Sequence, residues 1–276
     1  MARTSPTFRR RRLARRIRQL REDAGMTQEK AAAGLDMSTS ALSRKETGEV
    51  ATSVHEVRSM MDLYDRYDPD LLDLARAARE TPWWHAYGIK DRGYPDLETE
   101  ACRVREFTLA YIPGLFQTED YMRTLFEVGN PGCSESFIGN AVALRSARRE
   151  LISGQDPLDY SVVVDEMALR RPVGGAGTMR KQLLELGKYA DLPNVSIRVL
   201  PISAGAHGGM ESAFCLLSYA DPDEPDVVYV EHVAGSIFSG KTHDVQRASV
   251  VFAEVRDAAL DSGPSIDFIE QIAREF

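Results

Sequence analysis

Ser38, Thr39, Ser40, Ser43 and Arg44 crowd polar chemistry into one short stretch of the chain. A hydroxyl on a short side chain donates or accepts single hydrogen bonds, and a guanidinium fork grips two acceptors at once. Short polar groups beside one long bidentate donor suit the donor and acceptor edges that bases present in a major groove.

Such residues read bases only if a rigid element carries them. Leu13, Ile17 and Leu20 recur at helical spacing and give an amphipathic first helix, with Arg21 just after them. Gly25 breaks it. Met26-Thr27-Gln28-Glu29-Lys30-Ala31-Ala32 opens a second helix with Thr27 as N-cap, and Asp36 to Gly48 holds a third, short helix closed by glycine. Ala31, Ala32 and Leu35 are small or apolar enough to pack between the helices, while Ala41 and Leu42 anchor the third one. Two short helices joined by a tight turn allow the later one to lie in a groove of duplex DNA.

Charge points the same way. Residues 1–50 hold twelve Lys/Arg against six Asp/Glu, a net +6, whereas residues 51–276 carry −14 of the chain's total of −8. A basic end on an acidic body is the asymmetry of a DNA-binding head. Arg9, Arg10, Arg11 and Arg12, continued by Arg15, Arg16 and Arg18, form the densest part. Arg9–Arg12 are phosphate-contact candidates, with Ser38 and Ser43 beside the base readers. The run also fits a minor-groove arm or a solvated basic tail.

Met26–Ala32 and Ser40–Gly48 resemble the helix-turn-helix of the Cro/phage-repressor, or xenobiotic-response-element, family. The resemblance covers about the first quarter of the chain. It implies that Gln28 contacts phosphate and bases, that Thr39, Ser40 and Arg44 read bases, and that Arg21 pairs with Glu46. Lys45 departs from the pattern, since the family has an apolar residue there, and this weakens the packing expected of that turn.

The 276 residues and 43% apolar content allow two domains with a sizeable core. The expected fold is α+β: an N-terminal all-α helix-turn-helix bundle over 1–80, an aromatic junction over 81–97, and a mixed α/β domain for dimerisation and effector response over 98–276. Helices near 54–64 and 69–80 finish the bundle. In the body, 98–105 reads as helix and 107–112 as strand, and 89–97 reads as loop. Strands fit 160–164, 195–200, 213–219, 227–231 and 236–238, with a hairpin through 220–226 and therefore a mixed sheet. No apolar run approaches a membrane span. Cys102, Cys133 and Cys215 are odd in number and unpaired in spacing, and read as buried thiols of a reducing cytoplasm, so the expected location is cytoplasmic and nucleoid-associated.

The body also resembles a family. Ile112-Pro113-Gly114-Leu115-Phe116-Gln117-Thr118 with Tyr121, Asp165-Glu166 with Leu169 to Gly174, Leu200-Pro201 with Gly205-Ala206-His207, and Val228-Tyr229-Val230-Glu231 are similar to the signature of a domain of unknown function in actinomycete regulators. Phe116 replaces the usual Leu. The resemblance implies a transcriptional regulator, often controlled by a small partner protein, and leaves the effector open.

Other constellations carry less. Gly174 to Lys181 lacks phosphate-loop spacing and reads as a turn before a helix. Asp165 and Glu166 face differently where a strand yields to a helix, so they bond backbone N–H groups or Arg170 rather than forming an acid/base pair. The five histidines have no ligand spacing, and no catalytic trio stands out. Trp83 and Trp84 fit interdomain packing or, with His207 and Gly208, a small-molecule effector pocket. The expectation is a homodimeric regulator of operator DNA, without cofactor or enzymatic activity. Its body is expected to answer a small cognate protein or, alternatively, a small molecule, and an enzyme fused to a DNA-binding head is the remaining class.

Overall fold

A computed structural model describes residues 6–88 and 93–276. The chain is α+β and divides into two compact units. The first holds the described residues up to 86 together with 93–100, and the second holds 87–88 and 101–276.

The helical unit comprises α1 (Pro6–Asp23), α2 (Gln28–Gly34), α3 (Thr39–Glu46), α4 (Val54–Tyr64), α5 (Pro69–Ala77) and α6 (Gly93–Glu100). Local chemistry fixes the ends. Thr27, Ser38, Ser53 and Asp68 each accept a backbone N–H at a helix start. Ser53 and Glu56 bond each other's backbone N–H reciprocally, a capping box. Leu13, Ile17, Ala31, Ala32, Leu42, Val57, Met60, Leu71 and their neighbours form the unit's core. Each large apolar side chain in it contributes about 1.5–3 kcal/mol by leaving water.

Three expectations change here. The helix spacing of Leu13, Ile17 and Leu20 continues upstream, because Phe8 is also buried, and α1 therefore starts at Pro6. Arg9–Arg12 lie on that helix, so the arm and the solvated-tail readings do not hold for them. Second, α6 ends at Glu100 and the following strand begins at Arg103, where a helix over 98–105 and a strand over 107–112 were expected. The charged Arg103, Arg105 and Glu106 hid that strand. Of the expected loop 89–97, residues 89–92 lie outside the described residues and the remainder is α6.

In the second unit, β1 (Arg103–Thr108) is followed by α7 (Glu119–Gly129), α8 (Glu135–Arg148) and α9 (Glu150–Ser153). Next come β2 (Asp159–Asp165), α10 (Glu166–Arg170), α11 (Ala176–Ala190) and β3 (Val195–Leu200). The chain finishes with β4 (Phe214–Ser218), β5 (Val227–His232), β6 (Gly235–Ser239), α12 (Thr242–Ala258) and α13 (Ser262–Glu275). The strands form one mixed sheet in the order β3-β2-β1-β4-β5-β6. β1, β2 and β3 are parallel through helical crossovers, and β4, β5 and β6 are antiparallel. Phe107, Val163, Leu216, Val228, Phe252 and Val255 form the core beneath α12. Cys215 is buried in β4, but Cys102 and Cys133 are exposed, against the expectation of three buried thiols.

Candidate nucleic-acid interface

The third helix divides its residues by period. Leu42, Lys45 and Glu46 are buried on one side. Ser40 and Arg44 are exposed, and Thr39 and Ser43 are half-buried, so these four share the other side at i, i+1, i+4 and i+5. The tight turn before α3 places Asp36 in the left-handed region at φ 50, and Met37 donates its N–H back to Ala32 at 3.0 Å. Ser38 Oγ accepts the Ala41 N–H at 3.1 Å, which caps the helix. Its hydroxyl proton is still available to a phosphate. Among the described residues the Arg44 guanidinium has a loose exposed companion, Glu49 at 3.7 Å. At the other end Gly48 adopts φ +76, a left-handed conformation that glycine takes without strain, and so lets the chain reverse.

Beneath this face lies a buried ion pair. Arg21 donates from Nε to Glu46 Oε1 at 2.7 Å and from Nη2 to Glu46 Oε2 at 2.9 Å, while its Nη1 donates to the Met26 carbonyl at 2.7 Å. Both residues are buried, and the hydrogen bond to Glu46 holds the Arg21 guanidinium above its ordinary value. This joins the end of α1 to the end of α3. Gln28 Nε2 also donates to Glu46 Oε2, at 2.8 Å. One N–H of the Gln28 amide is therefore engaged within the protein, which leaves its second N–H and its carbonyl oxygen for other partners.

Lys45, the departure from the family pattern, fits because it has compensation. Its stem is buried and its ammonium meets Glu56 at 2.9 Å and the Ala51 carbonyl at 3.1 Å. Glu56 is the capping-box carboxylate of α4, so Lys45 ties α3 to the next helix. The sequence reading missed this junction, although the Ser53-x-x-Glu56 spacing of a capping box marks the start of α4.

The arginine run does not act as one clamp. On a helix, four successive residues fan around the axis. Arg9 turns inward to Glu100 at 2.9 Å and Glu80 at 3.5 Å. Arg10 and Arg12 are half-buried, and Arg11 is exposed. Arg16 pairs with Asp68, the cap of α5, at 2.6 Å.

In the second unit the Ile112–Thr118 segment is held by buried amides. Gln117 donates to the Ile112 carbonyl at 2.6 Å and accepts from Arg145 at 2.6 Å. Gln182, on α11, donates to the Phe116 carbonyl at 2.8 Å and accepts the Thr118 N–H at 2.7 Å. The Tyr121 hydroxyl accepts the Ile112 N–H at 3.1 Å. The signature thus fixes a loop.

Sequence comparison locates both parts. A helix-turn-helix domain matches residues 12–75, and the family described as Domain of unknown function (DUF5753) matches residues 92–271. The chain belongs to the DUF5753 family. It carries a helix-turn-helix DNA-binding domain ahead of that domain. No curated protein and no solved structure matches it.

Within the DUF5753 unit, Asp165 caps α10 by accepting the Met167 N–H at 2.8 Å. Glu166 accepts from Arg170 at 2.6 Å and from the Ile202 N–H at 2.8 Å. Both carboxylates are thus engaged with partners of their own. His207 lies edge-on to Phe107 with Nε2 3.7 Å from Asp165 Oδ2, and Gly208 is next to it. Trp83 and Trp84 belong to the helical unit. Trp84 is buried there, and Trp83 donates to Thr99 of α6 at 3.1 Å. Neither unit therefore contains all four residues expected of the effector pocket. Among the described residues, no helix is long and apolar enough to cross a membrane.

Proposed function

We propose that this protein is a sequence-specific transcriptional regulator that binds operator DNA as a homodimer and acts by binding rather than catalysis. The carrying observation is the polar outer face of α3, with Thr39, Ser40 and Arg44, set over the buried Arg21–Glu46 pair. A side chain reads a base well only when the helix beneath it cannot shift, and that pair fixes the helix. Ser38, Ser43 and Arg11 supply phosphate contacts, and a two-fold axis sets half-sites about 34 Å apart.

Selection of bound duplexes from a randomised pool gives the site, and titration of its base variants tests the reading. Arg44→Ala should lose about 1–3 kcal/mol of discrimination at one position and leave the others alone. An unchanged preference at every position removes Arg44 from the readout. No enriched sequence at all ends the proposal.

The DUF5753 domain receives the signal. Our reading is a small cognate protein, on the strength of the family resemblance. One observation favours a small molecule instead: His207 Nδ1 is buried without a hydrogen-bond partner among the described residues, near the carboxyl ends of parallel strands, where open α/β sheets bind ligands. Co-purification separates the two. A bound polypeptide supports the first, and a bound metabolite lost on His207→Phe supports the second.

A further inference from the structure

We propose that the β6 edge of the sheet pairs antiparallel with β6 of a second copy of this chain, across a two-fold axis at Ile237. The inference rests on the dimeric reading above and names the surface it uses.

The two edges of the sheet are finished differently. At β3 the chain closes its own edge: Leu260 N–H donates to the Val199 carbonyl at 2.9 Å, and Val199 N–H donates to Ser265 Oγ at 2.9 Å. Ser265 is fully buried there. At β6 Gly235, Ser236 and Ile237 are exposed, with Ile237 at 54%. β6 pairs with β5 residue for residue from His232↔Gly235 to Val228↔Ser239, without a bulge. The strand Gly235-Ser236-Ile237-Phe238-Ser239 has no charge and no proline. Charge, proline and bulges are the usual means by which an open edge is kept from pairing.

The hairpin sets the register. With Val233-Ala234 as a two-residue turn, Gly235, Ile237 and Ser239 direct their backbone groups to β5, and those of Ser236 and Phe238 point outward. An antiparallel mate centred on Ile237 sets Ser236 opposite the partner's Phe238 and Phe238 opposite the partner's Ser236. Every outward N–H and C=O of the two residues then finds its complement, and the two Ile237 side chains cover each other. A second copy suits this edge better than an unrelated strand, because the match is to itself and no like charges meet. Residues 101–276 hold sixteen Lys/Arg against twenty-five Asp/Glu, a net −9, so two such units approach most easily through a neutral strand. Lys241, just past the strand, comes beside the partner's Val233, at the hairpin end that carries Glu231.

Sedimentation of the full chain across concentration tests the proposal, with far-ultraviolet dichroism to verify folding. Wild type should be dimeric. Ile237→Lys, which opposes two ammonium groups at the axis, should weaken dimerisation at least tenfold. Ser236→Pro removes an N–H that β5 does not use and should act likewise. Ser236→Ala keeps that N–H while losing the hydroxyl, and should sediment as wild type. Folded Ile237→Lys and Ser236→Pro variants that stay dimeric overturn the proposal, as does a wild type that is monomeric on and off the selected duplex. A β6 dimer that enriches no DNA sequence would sink the regulator reading and leave this surface standing.

Discussion

The two units hold their signature segments with opposite chemistry. The helical unit buries a charged side-chain pair, Arg21 with Glu46, beneath the residues assigned to DNA. The DUF5753 unit holds Ile112–Thr118 with neutral amides, Gln117 and Gln182, that bond main-chain groups. A buried charge pair is largely replaceable as a pair, because apolar substitutes of similar volume end the need for the two charges to compensate each other, and what stays behind is the Met26 carbonyl and the Gln28 amide that the pair also engages. An amide that satisfies backbone has no such substitute, because the loop's N–H and C=O stay where they are. The charged lock is therefore severe when half-removed and forgiving when wholly removed. The amide lock is costly in one way only.

Arg21→Met carries the largest expected effect. It leaves the Glu46 carboxylate buried with Gln28 as its one remaining side-chain donor, and should cost the helical unit about 3–5 kcal/mol. Protection of the Leu42 amide against hydrogen exchange, followed through urea, reads this directly. Adding Glu46→Leu should return most of the loss. If the double variant is as unstable as the single one, the pair is not replaceable and the contrast with the amides fails.

Gln182→Leu comes next. The volume is nearly kept, but the Phe116 carbonyl and the Thr118 N–H lose their partner, and each unpaired buried group costs about 1–3 kcal/mol. Exchange at the Thr118 amide should accelerate while the Leu42 amide stays protected. No second substitution at a side chain should rescue it. A variant with wild-type exchange at Thr118 would show that water replaces the amide, and the two locks would then differ only in charge.

What could be read from the sequence follows the range of the interactions. Thr27 as a cap, the breaker Gly25 and the apolar spacing of α1 act within a few residues, and they placed the helices of the DNA-binding unit, whereas Ser38, read as a phosphate contact, also caps α3. The Arg21–Glu46 pair spans 25 residues, and only the family resemblance suggested it. Gln182 lies 64 residues from Thr118, and nothing local marks its partner. Arg103, Arg105 and Glu106 gave β1 the composition of a surface segment, and pairing with β2 and β4 on both sides decided its state. The inward turn of Arg9 needed α6, a helix that begins inside the expected loop and supplies Glu100. Charge counting along the chain treats every arginine as available, whereas the fold engages some of them with its own carboxylates.

The smallest expected effect probes the margin of the charged lock. The Tyr64 ring is buried beside Arg21 and Glu46, yet its hydroxyl has no hydrogen-bond partner among the described residues. Burial first, and the Glu46 charge second, push the phenol up to about 12, from an unfolded value of about 10. The folded unit therefore favours the neutral phenol. That contribution is complete below about pH 10 and disappears as pH climbs through about 12. Tyr64→Phe removes the lone hydroxyl and should leave stability at neutral pH unchanged or raise it by up to about 1 kcal/mol. An ultraviolet difference titration of wild type against the variant should show one phenol ionising near 12. A phenol ionising near 10, or a clear loss of stability in Tyr64→Phe, would mean that the hydroxyl is bonded within the network, and the lock would then include three side chains around Glu46 instead of the two drawn here.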